Sequence, residues 1–167
     1  YVREGRRLEG RFMLKESDCT LAPGLGRAPV FADSIAIGEW TMDSHSVSFE
    51  KMFCGRHEGK VLLTEMTRPS QIPYRTILPP NIDNLLVPVC LSATHIAWGT
   101  VRLEPTWMHI CESAAHAVAL ARAEGILPAD VDTDRLQRRL VRNGVMVSFF
   151  NEFDMAENAT WAPAVQY

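Results

Sequence analysis

The sequence lacks the features that mark several classes of protein. It has no apolar run near the roughly 20 residues that a membrane-spanning helix needs, and it shows no internal repeat or low-complexity segment. Neither sign of charge dominates, because 17 lysine and arginine residues stand against 20 acidic ones, for a formal net charge of -3. This balance gives no electrostatic reason to expect nucleic acid or a membrane surface as a partner.

Cysteine and glycine are not spaced as metal and nucleotide motifs require. The four cysteines show no CxxC spacing, so neither a zinc site nor a disulfide framework is expected. Two of them, Cys90 and Cys111, lie in apolar stretches and are predicted to be small buried side chains. The segment from Gly24 to Gly26 lacks the third glycine and the preceding apolar strand of a dinucleotide-binding fingerprint. The sequence therefore offers no pyrophosphate-binding motif.

The length and the composition of the chain are those of a globular protein. Of 167 residues, 47% are hydrophobic and 22% are charged, which suits one domain or one piece of a larger protein. The sequence starts at Tyr1 without an initiator methionine, which we interpret as a fragment or a processed product. A targeting signal is therefore not readable, and the compartment is left open, with a cytoplasmic protein as the working expectation.

Hydrophobic periodicity divides the chain into three segments. Residues 1–80 are predicted to be β-rich and mostly antiparallel. Residues 81–125 are predicted to hold a buried strand, Leu85–Leu91, then a short polar loop and one long helix from Arg102 to Arg122. Residues 126–167 are predicted to form a C-terminal helical segment with one or two short helices. The strands predicted in the first segment are Arg6–Glu16, Ser34–Trp40, a pair formed by Val47–Phe53 and Lys60–Thr64, and Tyr74–Leu78, with Met42–His45 as an interruption.

The predicted long helix has clear ends and one apolar side. Glu104 and Pro105 suit a first turn, and Gly125 suits the position just after the last turn. The shorter helix is predicted to end at Asn143 and Gly144. These patterns indicate an α/β protein that is α+β over this length. The apolar stripe predicted for the long helix consists of Leu103, Trp107, Ile110, Cys111, Ala114 and Val118.

One stretch, DNLLVPVCLSATHIAWGTVRLEPTWM from Asp83 to Met108, carries a family resemblance. It is similar, without a gap and nearly residue for residue, to the pattern DNLLVPVCLSATHVAYGSIRMEPVWM of a large family of FAD-dependent oxidoreductases. Weaker stretches of that family are SIAIGEWTMDSH, from Ser34 to His45, and QIPYRTILPP, from Gln71 to Pro80. The resemblance covers roughly Arg3 to Gly144. It implies the C-terminal portion of an FAD-binding fold, with FAD as cofactor and a hydride accepted from a small organic substrate.

The resemblance also implies where the flavin lies. In that family the helix N-terminus beside this loop is directed at the ring and ribityl chain. Its amides and Arg102 would there stabilise the negative charge of reduced flavin. The alternative interpretation is an ordinary connection between a strand and a helix. The implied cofactor-binding residues are Cys90, Ser92, Ala93, Thr94, His95, Arg102, Glu104, Pro105 and Thr106.

Three residues are candidates for catalysis by the same resemblance. His45 and Arg75 match the family's Asp-x-His and Ile-Pro-Tyr-Arg patterns, and His95 lies in the polar loop. Arginine and histidine are suited to orienting a carboxylate or carbonyl substrate and to moving a proton. As alternatives, Arg75 forms an internal ion pair with Asp43, His45 caps a strand, and His95 only holds the turn in place.

The missing glycine-rich motif leaves the rest of an FAD site to another portion of the protein. A nucleotide-binding portion, in the same polypeptide or in a second chain, is the partner that the resemblance implies. A hypothesis of another class is a non-catalytic structural or interaction module derived from that family, with self-association into a homo-oligomer. A third hypothesis is a metal site of His109, Glu112 and His116, which share one helix face. A polar outer face is the favoured explanation of these three residues, and no metal is expected.

Overall fold

The computed structural model describes residues 5–47, 51–150 and 160–167. The strands in these ranges are β1 (Ser34–Gly38), β2 (Met42–Ser44), β3 (Lys51–Phe53), β4 (Arg56–His57), β5 (Val61–Leu63) and β6 (Ser70–Pro73). The α-helices are α1 (His95–Val101), α2 (Glu104–Glu124), α3 (Thr133–Arg142) and α4 (Ala162–Gln166). Short 3-10 turns lie at Glu16–Cys19, Tyr74–Ile77 and Pro128–Asp130.

The strands form small antiparallel pairs rather than one sheet. β1 pairs with β6, β2 with β5, and β3 with β4. The whole of β1 is buried under α2, and the Ser113 hydroxyl of α2 donates to the Ile35 carbonyl at 2.6 Å. The second helix layer is α1, which packs on β2. This mixture of helices and small antiparallel sheets confirms the predicted α+β class.

One hydrophobic core connects all three predicted segments. Its members come from the first eighty residues, from both central helices and from α3, so the burial of apolar surface holds these parts together. At its edge the Tyr74 hydroxyl donates to the Pro128 carbonyl at 2.8 Å, and burial raises the pKa of that hydroxyl. The largest fully buried side chains include Trp98, Tyr74, Leu14, Ile35, Met42, Ile72, Ile110, Leu136 and Leu140.

Several strand predictions in the first segment are wrong. Arg6–Glu16 forms no strand; its one bridge is a parallel contact of Leu14 with Ala93. Tyr74–Leu78 begins as a 3-10 turn, and the strand that pairs with β1 lies just before it. The expected interruption at Met42–His45 is β2, and it takes β5 as its partner. Part of Val47–Phe53 lies outside the described residues. Local alternation does not say which distant strand a segment pairs with.

The predicted buried strand Leu85–Leu91 is also wrong. The segment has no strand, and both Leu85 and Val89 are 43% exposed. Cys90 is exposed rather than buried, and Cys111 is only half-buried. Pro88 has no amide hydrogen to donate to a neighbouring strand. The adjacent backbone is the 3-10 turn Tyr74–Ile77, which accepts single hydrogen bonds from Val87 and Ser92 instead of forming a continuous strand pair. An apolar composition was therefore not sufficient for a buried strand.

The predicted helix from Arg102 to Arg122 is two helices. α1 begins at His95 and includes Gly99, α2 begins at Glu104, and Arg102 ends the first helix instead of beginning the second. Pro105 explains the break, because a proline has no amide hydrogen and its ring would clash with the carbonyl four residues earlier. The buried stripe differs too, since Val118 is 47% exposed. The buried residues of α2 are Thr106, Ile110, Ser113, Ala114, Ala117, Leu120 and Ala121.

The helix ends that depend on local backbone chemistry are confirmed. Gly125 ends α2 in the left-handed region with φ 68°, and its amide donates to the Ala121 carbonyl. Asp132 caps α3 by accepting from the Asp134 amide, and α3 ends before Asn143 as predicted. Across the described ranges, no helix combines the length and the apolar character that crossing a membrane requires.

Candidate functional site

The turn at Ser92–Thr94 is fixed by its backbone. The Ser92 amide donates to the Thr76 carbonyl at 2.9 Å, while Leu14 donates to Ser92 and accepts from Thr94. The Thr94 hydroxyl then accepts from the Ala97 amide at 3.3 Å, which begins α1. Ser92 and Ala93 are buried as a result, so only the Thr94 end of this turn approaches the surface.

His95 is tied to the turn between β4 and β5. Its Nε2 lies 2.7 Å from the Gly59 carbonyl oxygen, which also accepts from the Ser44 hydroxyl at 2.7 Å. Because a carbonyl can only accept, Nε2 must carry the proton, and Nδ1 is the acceptor nitrogen of the neutral ring. Gly59 is required here: its φ is 75°, and a Cβ would lie 2.9 Å from Val47 Cγ1. His45 follows Ser44 and is exposed, so both histidines lie near this turn.

Asp43, the carboxylate considered as the partner of Arg75, is bound by Arg102 instead. Arg102 is buried, and it donates from Nε to the Asp43 carbonyl at 2.6 Å and from Nη2 to Asp43 Oδ2 at 3.0 Å. Arg75 makes a two-point contact with Asp33, at 2.8 and 3.1 Å, and its guanidinium lies 5.0 Å from the Phe12 ring centroid. The hydrogen bond that Arg75 donates to the Asp33 carboxylate raises the pKa of Arg75. The alternative of a pair between Arg75 and Asp43 is therefore wrong.

The other implied contact residues are spread over the surface. Cys90 is exposed, and its carbonyl accepts from the Leu8 amide at 2.8 Å. Glu104 and Pro105 are exposed in the first turn of α2, where Thr106 is buried. The structure thus separates the predicted set into a group at the start of α1 and a second group at the start of α2.

An open groove lies at the start of α1. It has a volume of about 520 Å³ and is lined by Lys15, Glu16, Ser17, Thr20, Thr94 and Ile96. Its polar groups are an ammonium, a carboxylate and hydroxyls, which suit the oxygen and nitrogen acceptors of a flavin and its ribityl hydroxyls. Sequence reasoning missed Lys15 and Ser17, since only the tertiary contact of Leu14 with the Ser92–Thr94 turn brings them there.

The metal hypothesis on α2 is not supported. The His116 Nδ1 lone pair accepts from Arg139 Nε at 3.0 Å and is therefore not available to a metal. Burial lowers the pKa of half-buried His109, against the opposing effects of Glu112 and of a hydrogen bond with the Met146 backbone. In the part of the chain that the structure describes, no three potential ligands come together as a metal site. Their spacing over two helical turns is the physical reason.

The comparison with protein families found one family that matches the chain. The family described as FAD dependent oxidoreductase matches residues 1–140, which is well over half of the chain. The match includes the groove, the Ser92–Thr94 turn and both central helices. No curated protein and no solved structure matches significantly. The family name implies FAD binding in the intact members, and the match confirms the resemblance seen at Asp83–Met108. The chain belongs to the FAD dependent oxidoreductase family.

Proposed function

We propose that the chain forms one wall of the flavin site of an FAD-dependent oxidoreductase, with the flavin in the groove at the start of α1. The family match supports the cofactor, and the groove beside Thr94 supports the place. When bound, the flavin would accept a hydride from a small organic substrate. The volume of about 520 Å³ falls within the range of about 300–1,000 Å³ that is usual for ligand pockets.

We propose that Lys15, rather than Arg102, stabilises the negative charge of the reduced flavin. Arg102 is held on Asp43 inside the protein, whereas the exposed Lys15 lines the groove. A cation here stabilises negative charge on a bound ligand, and Thr94 sets the position of the wall by capping α1. Of the other implied contacts, Ser92 and Ala93 are buried behind the groove. Cys90, Arg102 and Glu104–Thr106 remain predicted contacts.

The catalytic roles of His45, Arg75 and His95 remain proposals. Because Nε2 of His95 is held by Gly59, Nδ1 is the atom through which we propose that a proton moves. Arg75 keeps terminal N–H groups beyond those that Asp33 binds, and we propose that it orients a carboxylate or carbonyl substrate. His45 would assist from the exposed end of β2.

The nucleotide end of FAD needs another portion of the protein. The segment from Gly24 to Gly26 is no dinucleotide fingerprint, and the groove is open to solvent. We propose that a nucleotide-binding portion, in the same polypeptide or in a second chain, covers the groove. The 167-residue chain alone should then bind FAD weakly or not at all.

The intact protein tests this proposal. We expect it to be yellow as purified and to release flavin on denaturation. Lys15→Glu should lower the flavin content and make the flavin harder to reduce, because it replaces a positive charge with a negative one in the groove. Lys60→Glu is the matched control, since Lys60 is exposed and does not line the groove. A colourless protein that releases no flavin would contradict the proposal and favour the non-catalytic module.

A further inference from the structure

The helix α3 presents a stripe of arginines. Arg135, Arg138, Arg139 and Arg142 are spaced i, i+3, i+4 and i+7, which places them on one face of the helix. With Leu120 and Asn143 they line a groove of about 330 Å³. The chain as a whole has a formal net charge of -3, so this local accumulation of positive charge runs against its overall balance.

Three of the four guanidinium groups are held in position. Arg135 Nη2 binds Glu124 Oε1 at 2.8 Å, at the end of α2. Arg138 Nε binds Asp134 Oδ2 at 3.0 Å, and its guanidinium lies 4.8 Å from the Tyr167 ring centroid. Arg139 Nε donates to His116 on α2. Each contact uses only part of the five N–H donors of an arginine, so donors remain for a ligand.

Carboxylates of the described residues balance only half of the charge of this stripe. Glu124 and Asp134 each neutralise one arginine. Over the ranges that the structure describes, no carboxylate forms an ion pair with Arg139 or Arg142, which leaves two positive charges at one groove. Like charges three and four residues apart on a helix repel each other. An anion in the groove would remove this repulsion.

We infer that the groove on α3 binds a small phosphate-bearing molecule with one phosphate or a diphosphate group. The planar guanidinium fork of Arg139 or Arg142 matches two oxygens of a phosphate. These two cations, which have no carboxylate partner among the described residues, match the charge of such a group. Leu120 also lines the groove, but it is only 9% exposed and belongs to the hydrophobic core. The groove shares no residue with the flavin groove at Lys15, so this site is separate from the proposed flavin site.

Calorimetric titration of the full chain with inorganic pyrophosphate at low salt tests the inference. We expect saturable binding that weakens as salt is added, because salt screens the charges. Arg139→Ala combined with Arg142→Ala should weaken binding by at least about tenfold. The affinity of Arg142→Lys should lie between those of the unmodified chain and the double alanine variant, because lysine keeps the positive charge but lacks the planar guanidinium fork. Arg122→Ala and Arg68→Ala together are the control, because they remove the same charge outside the groove and should change the affinity less than about twofold.

Three results would overturn the inference. The first is no binding of pyrophosphate by the unmodified chain. The second is an equal loss in the control, which would show general charge attraction rather than a site. The third is binding of single-stranded nucleic acid or anionic vesicles without binding of pyrophosphate. Thermal unfolding of each variant checks the fold. If the double alanine variant is unfolded, the pyrophosphate affinity of Arg142→Lys is compared with that of the unmodified chain, and an unchanged affinity would contradict the inference.

Discussion

At the scale of single residues, Arg102 and Asp43 are the clearest case of a charge held inside the protein. Arg102 is 5% exposed, and its guanidinium satisfies both the carbonyl and the carboxylate of Asp43. Removing the cation would leave a partly buried carboxylate and a carbonyl without their donor. Such a loss is far larger than that of a surface pair, because water does not replace the missing partner.

We therefore predict that Arg102→Ala lowers the free energy of unfolding by about 3 kcal/mol. Arg11→Ala is the matched control, since its pair with Asp83 is largely exposed and should contribute about 1 kcal/mol or less. Denaturant unfolding of both variants measures the difference. Equal losses would show that Arg102 is not held as described.

At the scale of elements, the packing of α1 on β2 depends on Gly99. This residue lies inside α1, and a Cβ there would be 2.5 Å from the Asp43 amide nitrogen and 3.0 Å from the Asp43 carbonyl carbon. The neighbour is backbone, so it has no side chain that could turn away. Glycine thus allows a contact between helix and strand that any larger residue would push apart.

Gly99→Ala is accordingly expected to destabilise the protein by about 2 kcal/mol, in spite of the better helix propensity of alanine. Gly26→Ala is the control, because a Cβ there meets no atom within 4 Å, and it should stay within about 0.5 kcal/mol. Thermal or denaturant unfolding provides the measurement. A stabilised Gly99→Ala variant would show that α1 and β2 are farther apart than the structure has them.

At the scale of the whole molecule, α2 exposes apolar surface on the side that faces away from β1. Met108 is 71% exposed and Val118 is 47% exposed, and Ala115 and Ala119 on the same helix are exposed as well. Exposed apolar surface that is continuous along a helix favours a partner, which can be a second copy of the chain or the proposed nucleotide-binding portion. The homo-oligomer expected from the sequence therefore remains a prediction.

Sedimentation velocity of the chain over a range of concentrations tests that prediction. We expect reversible association or aggregation, which Met108→Glu should reduce by placing a charge in the contact. Val30→Glu makes the same type of change at an exposed apolar residue of a loop and should have little effect. A monomer at every concentration would rule out self-association through α2.

The sequence by itself determined the family, the α+β class and the ends of the helices that local chemistry controls. The motif at Asp83–Met108 needs no coordinates, because the order of its residues is the evidence. Gly125 acts within one turn of its own backbone, so its role at the end of α2 could be predicted. Pro105 was correctly assigned to the first turn of a helix. That this proline separates α2 from the preceding helix α1 was not predicted from the sequence.

Only the tertiary structure decided which groups meet. Arg102 binds Asp43, His95 binds Gly59, and Arg75 binds Asp33, each across more than thirty positions of sequence. The groove likewise depends on Leu14, which brings Lys15 to the start of α1. Residue type shows that a charge or a ring nitrogen needs a partner, whereas the choice of partner follows from how distant segments pack in one core. That is why the sequence could propose Arg102 as the positive charge beside a flavin, whereas in the structure Arg102 is buried and Lys15 lines the groove.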